Sequence, residues 1–395
     1  MCRRSLPWLV LLVLGLGLVT PAATRAETPP VPVVLIHGHG GSSDLTWRTA
    51  VDYLEGRGYR LGVSLFALDL DQAREMQPMG LLADATTVAE AVRRICAQTG
   101  ASQVDLVGHS RGGLVARLLV TGDAAGLVRR VVTLNTPHQG ALSAAALREM
   151  LHAAGLPPAR LPKSIAIPPD LEAGSAALAT MFAREQRFAD RTVPVLAVAT
   201  TWQTDSPAFL SGHDGAVSVA SQLGWPGART ALFRLGPTAE AMEAMAKSDL
   251  GAGLLVWNSP HLQSLESPAV LGAVADFLLA PRIEPPRRPC EPNCRDWSGL
   301  SGHWAADDLK PMLEQGLLPY TVAANGQRVF DPDRPMTRAE FVYGLARSRG
   351  WPEQLRAPSY PDMAGHWALG WVEAAVEAGV LKPGGTFDPD RPIAP

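Results

Sequence analysis

The chain has 395 residues, a hydrophobic content of 47% and a formal net charge of −3. That length accommodates two or three domains and a substantial core. The charge gives no electrostatic case for nucleic acid, and no run of like charges forms a polybasic membrane patch.

Residues 1–26 read as a secretory signal. Arg3 and Arg4 precede a short apolar core from Leu9 to Val19, and small residues follow up to Ala26. The apolar stretch is short for a membrane span. Of four cysteines, Cys2 leaves with the signal and Cys96 falls on a helical pattern, as a buried thiol. Cys290 and Cys294 could close a small disulfide ring in an oxidising compartment, with a metal site as the rival reading.

Residues 27–281 alternate strand-like and helix-like segments. Strands are expected at 31–36, 60–68, 103–107, 128–134, 193–200 and 229–235. Helices are expected at 46–56, 81–99, 114–119 and 264–280. This rhythm predicts a doubly wound, mainly parallel sheet covered by helices on both faces. Between about 139 and 191 the rhythm fails, and an Ala-, Leu- and Pro-rich helical cap over the site is expected, either mobile or static. Residues 282–295 are rich in proline and read as a stiff linker.

After the linker the chain repeats itself. Gly302-His303-Trp304-Ala305 returns as Gly365-His366-Trp367-Ala368, and Phe330-Asp331-Pro332-Asp333-Arg334-Pro335 returns as Phe387-Asp388-Pro389-Asp390-Arg391-Pro392. The two units are expected at 296–350 and 351–395, each with a helix between its landmarks and the second truncated.

The residues that carry chemistry are Gly108-His109-Ser110-Arg111-Gly112. A G-x-S-x-G pattern between a strand and a helix is the setting of a nucleophile elbow, which lifts serine clear of the backbone at a helix N-terminus. A serine nucleophile needs a base, and the base needs an orienting acid. Asp214, among the turn formers of Gly212-His213-Asp214-Gly215, and His261, just before the last helix, follow in the order this elbow requires. Asp205 and Asp249 remain alternative acids, and His138 could line the site. The oxyanion hole needs two fixed donors. The backbone N–H of Arg111 supplies one, and the loop His37-Gly38-His39-Gly40-Gly41 supplies the other through His39.

Together with Asn135-Thr136-Pro137-His138-Gln139-Gly140, these segments resemble the α/β-hydrolase fold, and within it the secreted bacterial lipases and esterases, over about residues 31–280. The resemblance implies an exported serine hydrolase that cleaves carboxylic esters, in particular those of acyl lipids, through Ser110, Asp214 and His261. Some such lipases brace the histidine loop with calcium, but the stretch between Asp214 and His261 has few acidic residues, so no metal and no cofactor is expected; transient contact with lipid interfaces is implied. Arg111 departs from the Met or Gln common after the nucleophile, which sets a charge near the expected acyl pocket. Acyl transfer, amide hydrolysis or phospholipid deacylation could use the same triad. A surface protein with a non-catalytic hydrolase-like domain is the reading from another class. The C-terminal units resemble S-layer homology repeats. That resemblance implies attachment to cell-wall polysaccharide at the cell surface, with Thr337, Arg338 and Glu340 of Thr337-Arg338-Ala339-Glu340 as ligand-binding residues.

Overall fold

The computed structural model describes residues 30–75, 77, 79–122, 124–142, 167–188, 193–203, 212–238, 240–241, 244, 258–281, 297–322 and 328–393. The expected signal, the linker, Cys290 and Cys294, and Asp205 and Asp249 lie outside these residues.

Six strands form one parallel sheet: β1 (Val33–Ile36), β2 (Leu65–Leu68), β3 (Val104–His109), β4 (Val128–Leu134), β5 (Val195–Trp202) and β6 (Arg229–Leu235). Their order is β2-β1-β3-β4-β5-β6. The central strands β1 and β3 are buried along their whole length, as a sheet covered on both faces demands. The helices α1 (Ser43–Glu55), α2 (Gly80–Thr99), α3 (Arg111–Leu119), α4 (Ala176–Arg187) and α5 (Pro268–Leu279) supply that cover. One apolar cluster joins the sheet to α2, α3 and α4, and another joins it to α1 and α5.

Local chemistry explains where the elements depart from the sequence pattern. The expected strand at 60–68 begins only at Leu65. Gly62 takes φ +76, and the Arg60 carbonyl accepts from the amides of Val63, Ser64 and Leu65, which makes a turn of the first half. The helix expected from 46 starts at Ser43, because the Ser42 side chain caps it. The helix expected from 264 starts at Pro268, behind the Ser267 cap, since proline suits the first helical turn. Cys96 is half-buried against the first apolar cluster.

Within the expected cap, residues 143–166 lie outside the described set. The described part is a 3-10 turn, Pro169–Leu171, and α4. Ala177, Leu178 and Met181 of α4 are fully buried. This part of the segment is built into the core and does not form a separate flap.

The repeats contribute α6 (Ala306–Glu314), a hairpin of β7 (Thr321–Val322) and β8 (Arg328–Val329), α7 (Arg338–Ser348) and α8 (Leu369–Glu377). They pack onto the core of the sheet domain. Leu355, Met363, Leu369 and Val372 share one apolar cluster with Leu82, Leu118 and Met181. Phe188, at the end of α4, packs with Tyr343, Ala346 and Trp371. Arg184 of α4 is fully buried and ion-paired with Glu353, its Nη2 lying 3.0 Å from Oε2. Arg187 donates to Glu340 at 2.9 Å.

Candidate active site

Ser110 sits between β3 and α3 with φ 52 and ψ −122, a region L-residues seldom occupy. The neighbouring glycines make that geometry possible by their lack of a side chain. A Cβ on Gly108 would come within 2.5 Å of the Gly112 carbonyl oxygen and the Gly113 nitrogen. One on Gly112 would lie 2.2 Å from the Ile36 carbonyl oxygen. The Ser110 amide is anchored to the Leu134 carbonyl at 2.7 Å. The side chain stands at the start of α3, where unpaired helical amides favour negative charge.

Asp214 lies in the loop after β5, and His261 lies on a one-turn helix, Pro260–Gln263, where the sequence reading placed a loop. Proline at the first position of that turn accounts for the difference. The His261 imidazole bonds through Nδ1 to Asp214 Oδ2 at 2.7 Å. The other carboxylate oxygen, Oδ1, accepts the amides of Ala216 at 2.9 Å and Val217 at 2.7 Å. Burial alone would push the fully buried Asp214 carboxyl up. The charge and hydrogen bond of His261, with the two amides, outweigh it and hold it below the usual carboxylate range.

Ser110 and the His261–Asp214 pair meet through His109. Its Nε2 donates to the His261 carbonyl at 3.0 Å, and the two rings lie 4.9 Å apart. Burial first, and then the nearby His261, push the His109 pKa down to about 3, so His109 is the neutral donor. Among the described residues the Ser110 hydroxyl makes no hydrogen bond, and His261 Nε2 has no partner. Ser110 is buried, with 8% of its surface exposed, and the His261 side chain is 12% exposed.

The loop after β1 closes against the elbow. A Cβ on Gly38 would lie 2.8 Å from Ser110 Cβ, so only glycine lets the loop approach so near. His37 is fully buried and pins this loop, its Nε2 accepting the Leu70 amide at 2.9 Å while Nδ1 bonds the Gly38 carbonyl at 2.8 Å. The amides of His39 and Arg111 have no partner among the described backbone hydrogen bonds.

Several residues in this arrangement carried no clear signal in the sequence. Glu75 is buried, accepts the Gly40 amide at 2.8 Å and lies 2.8 Å from His39 Nδ1, which fixes the glycine loop. Burial pushes its carboxyl up, but these two contacts outweigh that and hold it down. Asn135 has φ 54 and donates from Nδ2 to Asp214 Oδ2 at 2.8 Å. An asparagine directly after a buried strand was the available sign, since asparagine tolerates this conformation. The Arg111 guanidinium does not enter the site. It is fully buried and paired with Asp84 of α2 and, at 3.2 Å, with Asp170 Oδ2. The charge that set the acyl pocket in question is thus consumed inside the fold.

His138 does not line the site. It is fully buried, bonded to Thr133 Oγ1 at 3.1 Å and edge-on to Trp225. His213 also faces inward and accepts the Gly215 amide at 3.0 Å. In the repeats, Thr337 and Glu340 form a reciprocal cap on α7, with hydrogen bonds of 3.2 and 3.0 Å. Arg338 donates to the Phe387 carbonyl at 2.7 Å. Each of the three residues expected to bind polysaccharide therefore has a partner within the protein.

The parallel sheet, strained serine elbow and facing glycine loop define an α/β-hydrolase. Residues 27–148 match the PGAP1-like alpha/beta domain family, and residues 359–393 match the S-layer homology domain. Those two segments carry the chain's similarity to an α/β-hydrolase domain and to an S-layer homology domain. It is 34% identical over 143 residues to a triacylglycerol lipase of Burkholderia plantarii, covering 33% of this chain and 37% of the relative. A triacylglycerol lipase of Pseudarthrobacter phenanthrenivorans is 34% identical over 140 residues, 33% of this chain and 39% of the relative. The chain thus spans less than two-fifths of the lipases it matches. A cellulosome-anchoring protein of Acetivibrio thermocellus is 35% identical over 98 residues, 23% of this chain and 21% of the relative. Among solved structures, the mature lipase BlEst2 of Bacillus licheniformis is 20% identical with a TM-score of 0.38, covering 53% of this chain and 85% of that one.

Proposed function

We propose that the protein is an exported serine hydrolase that cleaves carboxylic esters, in particular those of acyl lipids, and is held at the cell surface by its S-layer homology repeats. What supports this reading is a strained serine whose chain neighbour His109 bonds the carbonyl of His261, a histidine whose Nδ1 is tied to a buried carboxylate. Asp214 fixes the His261 tautomer with the proton on Nδ1, which leaves Nε2 as the base. His261 takes the Ser110 proton as the oxygen attacks the ester carbonyl. The contact between the two commonly tightens only once substrate is in place. The negative oxygen of the tetrahedral intermediate is received by the amides of Arg111 and His39. Collapse expels the alcohol, which takes the proton back from His261. Water then attacks the acyl-enzyme with the same base, releasing the acid and restoring the serine.

Similarity to two triacylglycerol lipases supports an acyl ester as substrate, and similarity to a cellulosome-anchoring protein supports a surface location. The basic and apolar segment at 1–26 supports export. The domains are proposed as hydrolase at 27–281, linker at 282–295 and repeats at 296–350 and 351–395. The test is turnover of p-nitrophenyl esters of graded chain length, soluble and micellar, by the purified full chain. Saturable hydrolysis supports the reading, and no turnover across the series defeats it. Co-sedimentation with purified cell-wall sacculi tests the surface location separately.

A further inference from the structure

Arg111 carries the amide assigned above to the oxyanion, and its side chain runs inward from the elbow. The fully buried guanidinium bonds Asp84 through Nη1 and Asp170 Oδ2 through Nη2, the latter at 3.2 Å. Asp170 Oδ2 also accepts the Leu81 amide at 2.7 Å, which ties the turn before α4 to the first turn of α2. Two carboxylates thus serve one guanidinium. Burial pushes both carboxyls up more strongly than Arg111 draws them down. Buried ion pairs of this kind add little stability in themselves. What their geometry provides is a fixed position for the residue after the nucleophile.

Three helices take part in this clamp: α3 begins at Arg111, α2 carries Asp84, and α4 follows Asp170. All three meet again at residues 353–355 of the repeats. Glu353 pairs with Arg184 of α4, whose Nε donates to Thr121 Oγ1, just past α3, at 3.3 Å. Glu353 also presses on the end of α3, since a Cβ on Gly122 would lie 3.0 Å from its Oε2. The Leu355 amide donates to Thr86 Oγ1 of α2 at 2.9 Å, two residues along the helix from Asp84. The Leu355 side chain lies in the apolar cluster that holds Leu82 of α2, Leu118 of α3 and Met181 of α4. On its other side the segment is fixed by its own repeat, the Gln354 amide donating to the Gly370 carbonyl at 2.9 Å. Packed side chains and stiff helices carry such a constraint from one end of an element to the other.

We propose that residues 353–355 brace the active site from the repeat side: by fixing α2, α3 and α4 against one another they hold the clamp on Arg111, and the clamp sets the Arg111 amide where the oxyanion forms. Asp84, Asp170, Thr86 and Glu353 are positioning residues, and the repeats are part of the working enzyme as well as its anchor. The proposal rests on the ester reading for the group that the amide receives, while the bracing itself does not depend on it.

The experiment compares the full chain with Thr86→Val, Thr86→Ser, Asp170→Ala and Asp170→Asn, by ester kinetics and by hydrogen exchange. Thr86→Val keeps the shape of the side chain but removes the acceptor of the Leu355 amide, and Thr86→Ser keeps that acceptor. Asp170→Asn keeps an oxygen for the Leu81 amide and Arg111, and its NH2 replaces Oδ1, which has no hydrogen-bond partner to lose. Outright loss of one oxyanion donor costs about 10²–10³ in kcat, so a displaced donor should cost about tenfold or more. Thr86→Val and Asp170→Ala should show that fall in kcat with KM little moved. Their affinity for a trifluoromethyl ketone, whose hemiketal oxygen takes the oxyanion position, should fall by the factor lost in kcat/KM. Thr86→Ser and Asp170→Asn should recover most of the loss. Amide exchange in α3 should be about tenfold faster in the Val and Ala variants, with β5 and β6 unchanged, because the opening is local. Should Asp170→Ala misfold, the Thr86 pair decides. If the parent turns over no ester, the ester reading fails and the exchange measurement decides the bracing. The proposal is overturned if Thr86→Val matches Thr86→Ser in kcat, if the loss appears in KM alone, or if exchange in α3 is unchanged.

Discussion

Asp214→Asn isolates the role of the buried carboxylate with little change of shape. In the parent, Oδ1 accepts two backbone amides while Oδ2 accepts His261 Nδ1–H and the Asn135 amide group. Asparagine has one acceptor and one donor group, so it cannot keep all four contacts. With its oxygen facing the Ala216 and Val217 amides, its NH2 faces His261 Nδ1 and Asn135 Nδ2. His261 can answer only by moving its proton to Nε2, and a protonated Nε2 cannot accept the Ser110 proton. Loss of the correct tautomer in a serine triad costs about 10⁴ in kcat, or ~5.5 kcal/mol of barrier. The assay is kcat on p-nitrophenyl butyrate, with circular dichroism showing that the variant is folded. KM should move little, because the substrate contacts stay. A folded variant with kcat within tenfold of the parent refutes the assignment of Asp214.

Further outcomes follow from the packing. Gly38→Ala places a Cβ 2.8 Å from Ser110 Cβ and 3.2 Å from the His109 carbonyl, so the glycine loop must retreat from the elbow. Turnover should fall by about 10²-fold or more, since displacements near 1 Å have that effect, and unchanged kcat/KM would contradict the loop's role. Glu353→Ala leaves the fully buried Arg184 uncompensated, at a cost of about 3–5 kcal/mol. Tm should drop by roughly 10 °C, and an unaltered melting curve would mean that the repeats do not dock on α4. The pH dependence has a definite sign. His109 is neutral in the fold, with a pKa pushed from 6.5 to about 3, mainly by burial. Its stabilising contribution is complete above pH 6.5 and is lost as pH falls toward 3. Between pH 8 and pH 5 urea unfolding should therefore lose ~2 kcal/mol. His109→Gln should flatten that slope, and an equal slope in both proteins would show that His109 is protonated without penalty.

The sheet was legible in the sequence because its central strands are buried on both faces and read as continuous apolar runs. Val33–Ile36 and Val128–Leu134 fall where the pattern put them. The edge of a strand was not legible at Arg60–Leu65, where one glycine with positive φ converts a strand-like run into a turn. The elbow was visible because its glycines answer steric demands close by in sequence. The partners of Arg111 were not, because Asp84 and Asp170 come from two remote segments and look like ordinary charges. Glu75 escaped for the same reason. The docking of the repeats was also hidden. Arg184 and Glu353 stand 169 positions apart, and nothing local distinguishes either from a solvated side chain.

The most direct test of the central claim is covalent labelling by a fluorophosphonate, in which the serine oxygen displaces fluoride from phosphorus. Peptide mass spectrometry of the labelled full chain should place the adduct on Ser110 alone, and Ser110→Ala should lose both the label and ester turnover. An adduct on another residue, or labelling that persists undiminished in Ser110→Ala, would contradict the account.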